Sequence, residues 1–373
     1  MIKKINLTLP RGWDACTREQ LETIADVMRE QVERQDRYHP FSMQSVKVAL
    51  FFVLAGIEIV EGPNPRVPVE EQYYTCRLAD RVGRGFWARL CRRLRNGLLG
   101  RMWRNGVDAG ETFSLYIWQI NYWLMPKAKT DDKSSAEYIA QGKGLLDWLD
   151  NENGSFLTRF VYDEVKRSKR GFWHWRRRTF KGPLPDLDGF SWAQYRFAAD
   201  TMQNYTKLSN SFVRMRELGR FSDEQMMKQA QTVDLARAMF LATVFNGRTK
   251  FIDTNTGIVK RDYHYESNQC TDNAQYFRGY PDTQWQVILF WWTGMMHTLS
   301  KRYPHVFKVQ KIDRRKNKPS TPLEIYTATT ATMQKYAGLT EDQVNNQSYS
   351  LVLEHLERLA KENEEMEKVR RKK

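Results

Sequence analysis

Cysteine is scarce in this chain. Cys16, Cys76, Cys91 and Cys270 are the only four in 373 residues, and no two stand in a CxxC pair. A disulfide framework holding a small loop-rich domain is thereby excluded, and the usual zinc-ribbon and dithiol spacings are missing. A reduced, cytoplasmic protein is the simplest reading. Long hydrophobic runs are also lacking. The two most apolar stretches, 46–60 and 285–299, carry Lys47, Glu58 and His297, and both are shorter than the roughly 20 residues that cross a bilayer. They read as buried core helices, and no membrane span is expected. Met1-Ile-Lys-Lys is followed by polar and turn residues rather than an apolar run, so no secretory signal is expected. Catalytic fingerprints are absent as well: there is no GxxxxGK[ST] loop, no HExxH, no GxSxG elbow and no GxGxxG turn. The chain reads as non-enzymatic, with no catalytic residue, no metal ligand set and no cofactor.

Acidic residues are in deficit. Against 59 Lys and Arg stand 44 Asp and Glu, for a formal charge of +15. Such a surface suits an acidic partner (nucleic acid, an anionic membrane face or an acidic protein), or it is simply a solvated basic surface. A hydrophobic share of 41% is enough for a sizeable core, and the length predicts about two to three domains. Linker-like composition divides the chain into an N-terminal helical region, 1–126, a central helical region, 136–307, and a C-terminal helical segment, 323–373.

What is present is a repeated way of starting helices. Thr17-Arg-Glu-Gln20, Ser191-Trp-Ala-Gln194, Ser222-Asp-Glu-Gln225 and Thr340-Glu-Asp-Gln343 are four capping boxes. In each, the hydroxyl accepts from the N3 amide and the Gln side chain reaches back to the N-cap amide. The first predicts a helix to about Gln35, with Leu21, Ile24, Ala25 and Met28 on one face. A central helix is expected over Val46–Val60, and Glu70–Gly106 reads as a basic helix. Leu78, Val82, Phe86, Leu90 and Leu94 form its apolar stripe, and Arg81, Arg84, Arg89, Arg92, Arg93, Arg95, Arg101 and Arg104 face outward. Ile2–Leu9 suits a short strand, Ala136–Leu149 a short helix, and the aromatic-rich Glu111–Met125 the core. Phe245-Asn246-Gly247 looks like a glycine helix stop. Phe251-Ile252 and Ile258-Val259 read as a small hairpin joined through Asp253–Gly257. The fold class expected is mainly α: an irregular multi-helix assembly with a minor β-hairpin. At the C-terminus, Leu351, Val352, Leu356 and Leu359 predict a helix docked as far as about Ala360, with the last dozen residues frayed or projecting.

Few residues suggest chemistry. His264, Glu266 and Cys270 are too few and too loop-like for a metal site. Asp186 and Asp188 lie beside Pro185 and Gly189, where turns favour Asp locally. Met226, Met227, Met239, Met295 and Met296 fit either adaptable contact surfaces or plain core. The densest constellation spans Lys166 to Lys181. Lys166, Arg167, Lys169, Arg170, Arg176, Arg177, Arg178 and Lys181 flank Phe172, Trp173, His174 and Trp175. Cations neutralise phosphates and flat rings stack on unpaired bases, so this pattern suits single-stranded nucleic acid. It equally suits core aromatics bordered by basic residues, or a site for an acidic protein partner.

Three segments together resemble a known family. They are Leu9-Pro-Arg-Gly-Trp13 with Thr17–Leu21, Phe180-Lys-Gly-Pro183 with Phe190-Ser-Trp-Ala-Gln-Tyr-Arg-Phe197, and Ala337–Val344 with Ser350–Leu356. In these segments the chain is similar to proteins encoded among the tail genes of tailed bacteriophages and prophages, which resemble tail-assembly chaperones. The resemblance implies a helical protein of the bacterial host cytoplasm with no catalytic residues. It would act by protein–protein contact on the tape-measure protein or another tail protein.

Overall fold

In a computed structural model, the described residues are 9–33, 42–78, 112–124, 145–150, 155–169, 177–252, 259–263, 265–308 and 322–372. The architecture is mainly helical with minor antiparallel β-structure, in two compact units, Met1–Phe156 and Leu157–Lys373. The β-structure is larger than one hairpin: it comprises a three-stranded and a four-stranded sheet.

In the first unit, α1 (Arg18–Glu33) begins at a complete capping box, Gln20 N to Thr17 Oγ1 and Thr17 N to Gln20 Oε1. Its buried face is Leu21, Ile24 and Ala25. The helix α2 (Met43–Ala55) is shorter than expected, because Gly56 adopts φ 68° and ends it. Ile57–Glu61 then forms β1 rather than further helix, pairing with β2 (Tyr73–Leu78), which also pairs with β3 (Thr112–Tyr116). The expected basic helix therefore does not begin at Glu70. A 3-10 turn over Val69–Glu71 leads into a strand whose Tyr-Tyr-Thr-Cys sequence suits a pleated surface. The arginines from Arg81 to Arg104, like residues 2–8 of the expected strand at Ile2–Leu9, lie outside the described residues. So does most of 136–149, of which a 3-10 turn over Asp147–Leu149 is described.

The helix α3 (Ile117–Leu124) follows β3 directly and corrects the aromatic-core expectation in part: Trp123 packs on the buried Phe51 at 5.6 Å. Ile120 and Leu124 are buried, whereas Tyr116, Trp118 and Tyr122 are exposed. Among the described residues of this unit the buried charge is Lys47, which reaches Asp150 at 2.7 Å and Asp147 at 3.3 Å.

The second unit carries β4 (Glu164–Ser168), β5 (Arg177–Lys181), β6 (Asn246–Ile252) and β7 (Val259–Tyr263) in that order in one antiparallel sheet. The expected hairpin is the β6–β7 pair, with Ile252 opposite Val259. Its helices are α4 (Trp192–Leu218), α5 (Asp223–Val244), α6 (Cys270–Phe277), α7 (Asp282–Arg302), α8 (Pro322–Ala337), α9 (Glu341–Asn346) and α10 (Tyr349–Lys372). Ser222 and Thr340 form complete capping boxes. Ser191 caps α4 by accepting from Gln194 N, but the Gln194 side chain does not return to the cap. It is buried, donating to Thr243 O at 2.8 Å and Asn246 Oδ1 at 3.1 Å, and so ties the start of α4 to the end of α5.

That start is also where the C-terminal segment joins. Trp192 N donates to Gln347 O, Tyr349 N donates to Phe190 O, and Ser191 and Ser348 form a β-bridge. Asp186 and Leu187 stand at φ 56° and 58°, a conformation costly for a branched residue such as leucine. Burial of Leu187 and the Tyr349 hydroxyl donating to Asp186 O hold them there. Burial pushes the Tyr349 hydroxyl up to about 12, so it remains a protonated donor at neutral pH.

The glycine stop expected at Gly247 is not one. Phe245 ends α5 in an extended conformation (φ −96°, ψ 119°) and the chain enters β6 at once. A Cβ on Gly247 would stand 2.8 Å from Arg178 Nη2, so glycine makes room for a guanidinium.

The last dozen residues do not fray, since α10 is continuous to Lys372, but most of those described are exposed, as projecting residues would be. Glu357 accepts from His305 N, from Val306 N and from the His305 ring, and Glu364 pairs with Lys308. Burial raises the Glu357 pKa, but the hydrogen bonds from His305 and Val306 outweigh it and hold the carboxyl below its ordinary 4.5. Because the folded value is depressed, this stabilisation is present above the unfolded pKa and is lost as pH falls through the folded one. Glu357→Gln should therefore be less stable than wild type at pH 7, and the gap should narrow below about pH 4.5. Melting curves across that range check it; a constant gap would contradict the linkage.

Candidate interaction surfaces

The basic constellation is built on β4 and β5, which pair Lys166 with Thr179, Arg167 with Arg178 and Ser168 with Arg177. Residues directly opposite share a face, and neighbours along a strand alternate. The ladder therefore divides the cations.

On the inner face Phe180 is fully buried against Tyr276 and Phe277 of α6. Arg178 donates to Asn273 Oδ1 at 2.8 Å and to Arg248 O at 3.0 Å. Arg167 donates to Tyr276 O and lies 4.9 Å over the Tyr280 ring. Burial lowers the Arg167 pKa from its usual value; Tyr280 opposes this and Arg237 adds to it. Both guanidiniums are committed to holding the sheet against α6.

The outer face carries Lys166, Arg177 and Lys181, all exposed, with Glu164 at 3.7 Å from Lys166. Lys181 Nζ sits 4.3 Å over the Tyr263 ring, and Lys169, beyond the strand end, lies 5.3 Å over Tyr276. Arg170, Trp173, Trp175 and Arg176 lie outside the described residues, as do Phe172 and His174. Of the ten residues singled out, the structure thus leaves Lys166, Lys169, Arg177 and Lys181 available to a ligand and uses Arg167 and Arg178 internally. The period-two alternation in Glu164–Ser168 and Arg177–Lys181 is the signal that separates them.

The second surface has no charge signature. Helices α4 and α5 form an antiparallel hairpin around Gly219, which takes φ 61°. Its buried residues stop at Met202 in α4 and resume at Ala236 in α5. No residue from 203 to 235 is buried. Leu208, Phe212, Met215, Met226 and Val233 form a half-buried seam, and Gln229 Nε2 donates to Leu208 O. Val213, Leu218, Phe221 and Met227 are exposed, Met227 to 64%. Of the five methionines considered, Met295 is core, Met226, Met239 and Met296 are half-buried, and Met227 faces solvent.

Asp186 and Asp188 behave as turn residues; the Asp188 carboxylate accepts from Gly189 N at 2.9 Å. Cys270 is buried beside the Thr243 hydroxyl at 3.2 Å, and burial pushes its thiol up, away from reactivity. Among the described residues no group of three His, Cys, Asp or Glu side chains is placed to hold a metal ion, and no helix is long and apolar enough to cross a membrane. No protein-family model matches this chain, and neither a curated protein nor a solved structure does.

Proposed function

We propose that the chain is a non-enzymatic protein of phage or prophage tail morphogenesis that works by protein–protein contact, in the manner of a chaperone for the tape-measure protein. The observation that supports this reading is the distal half of the α4–α5 hairpin, where Val213, Leu218, Phe221 and Met227 stand exposed. Exposed apolar side chains grouped on one element mark a contact surface, and an amphipathic segment buries its own apolar stripe against such a surface. Methionine adapts to varied partners. Co-expression with an amphipathic tape-measure segment from the same genome tests the reading. The wild type should keep the segment soluble and co-purify with it. Phe221→Asp with Met227→Asp should lose it at an unchanged melting temperature, since both side chains are exposed. Retention of the segment by the double variant would overturn the proposal.

A second reading is nucleic-acid binding through Lys166, Arg177 and Lys181, favoured by their exposure on one sheet face. In the same preparations, a labelled single-stranded oligonucleotide separates the two. Three neutralised phosphates would give a slope of log affinity on log salt of about −2, whereas the protein-contact reading expects no binding.

A further inference from the structure

The last turns of α10 carry a pattern that neither surface above uses. Met366 and Val369 are exposed, to 58% and 57%. They stand on one helix face with Glu362, Glu365 and Arg370. Taking Met366 as heptad position a makes Val369 d, Glu365 g and Arg370 e. The same register places Glu357 and Glu364 at f, opposite the a/d seam. Those two glutamates are the ones that receive His305, Val306 and Lys308. Near its start α10 is buried through Val352 and Leu353, but in these last turns the body reaches it from the f side and the a/d side is outward. Glu365 and Arg370 have no ion-pair partner among the described residues.

We propose that this face is a self-association site, occupied by the same helix of a second copy in parallel. Charge decides both the occupant and its direction. In a parallel pair the g residue of one helix meets the e residue five positions later in the other. Two-fold symmetry then gives two Glu365–Arg370 pairs flanking the Met366 and Val369 layers. An antiparallel pair sets g against g and e against e, so Glu365 meets Glu365 and Arg370 meets Arg370. An unrelated acidic or basic partner would satisfy one end of the face and be repelled by the other. Glu362 at the preceding d position limits the apolar seam to two layers, so the contact is small and the dimer dissociates on dilution.

Sedimentation of the full chain over a wide concentration range tests this, with Glu365→Arg and Arg370→Glu made separately. Both residues are exposed, so both variants should keep the wild-type melting temperature. The wild type should shift from monomer toward dimer as concentration rises. Each single reversal places like charges opposite one another twice and should weaken association at least about tenfold. An equimolar mixture of the two variants restores both pairs and should associate as the wild type does. A wild type that stays monomeric at every concentration would overturn the proposal and leave the face to another partner or to solvent. A mixture no better than its components would overturn it as well.

Discussion

Phe277→Ala should destabilise the protein by about 3–5 kcal/mol, the range for truncating a buried phenylalanine. Phe277 is fully buried at the end of α6. It stacks on Phe245 at 5.4 Å and meets Phe180 at 4.9 Å and Tyr280 at 6.1 Å. Those three rings come from the end of α5, from β5 and from the turn before α7. The hole left by the ring would be shared by elements that cannot all close on it, which puts the cost in the upper part of the range. Phe180 also sits beneath the inner-face arginines, so the positions of Arg167 and Arg178 should loosen together. Denaturant unfolding measures the loss. Phe197→Ala is the control: Phe197 is 46% exposed, and its truncation should cost less than about 1 kcal/mol. If the two variants unfolded alike, the aromatic cluster would not be the core of this unit.

Lys47→Ala should cost about 3 kcal/mol. Removing one partner of a buried ion pair typically costs 3–5 kcal/mol, because the other charge is left uncompensated. Here the low end applies, since the Asp147 and Asp150 side chains keep 20% and 26% of their exposure and can be partly rehydrated. Lys47→Met separates charge from packing, because it retains most of the stem volume. The Met variant should lie between wild type and the Ala variant. Adding Asp147→Asn and Asp150→Asn to it should recover stability, since no unpaired charge then remains. Thermal melts of the four proteins decide. A Lys47→Ala variant within about 0.5 kcal/mol of wild type would mean that these ion pairs contribute nothing to anchoring α2.

How much was legible in advance follows the range of the interactions. All four helix launches could be read from sequence, because a hydroxyl and an amide three residues apart belong to one turn whatever surrounds them. The hairpin at Phe251–Val259 was legible for the same reason: turn residues join two short apolar pieces. The strand at Tyr73–Leu78 was not. Its residues continue a helical spacing through Leu78 and Val82, and it is a strand because β1 and β3, distant in sequence, supply both ladders. Within the basic constellation, composition marked the segment but not the roles of its members. Arg167 and Lys166 are neighbours of like charge, and only the packing of α6 on one side of the sheet makes the first structural and the second available.

Gln194 shows the division within one residue. Its place three positions after Ser191 marks a cap, and that cap forms. Its side chain nevertheless goes to the buried Thr243 carbonyl and the half-buried Asn246 amide, because an acceptor inside the core cannot turn to water. The C-terminal helix is the converse case. Its charged sequence marks the polar character of the last turns correctly, but the helix is held beyond Ala360 by Glu364 reaching Lys308, 56 residues away in the chain. Sequence alone determined the helical class, the starts of the four capped helices and the charge. The tertiary structure decided strand partners, the inward face of each strand and which polar side chains are consumed internally, because each of these depends on acceptors and apolar surfaces supplied from far along the chain.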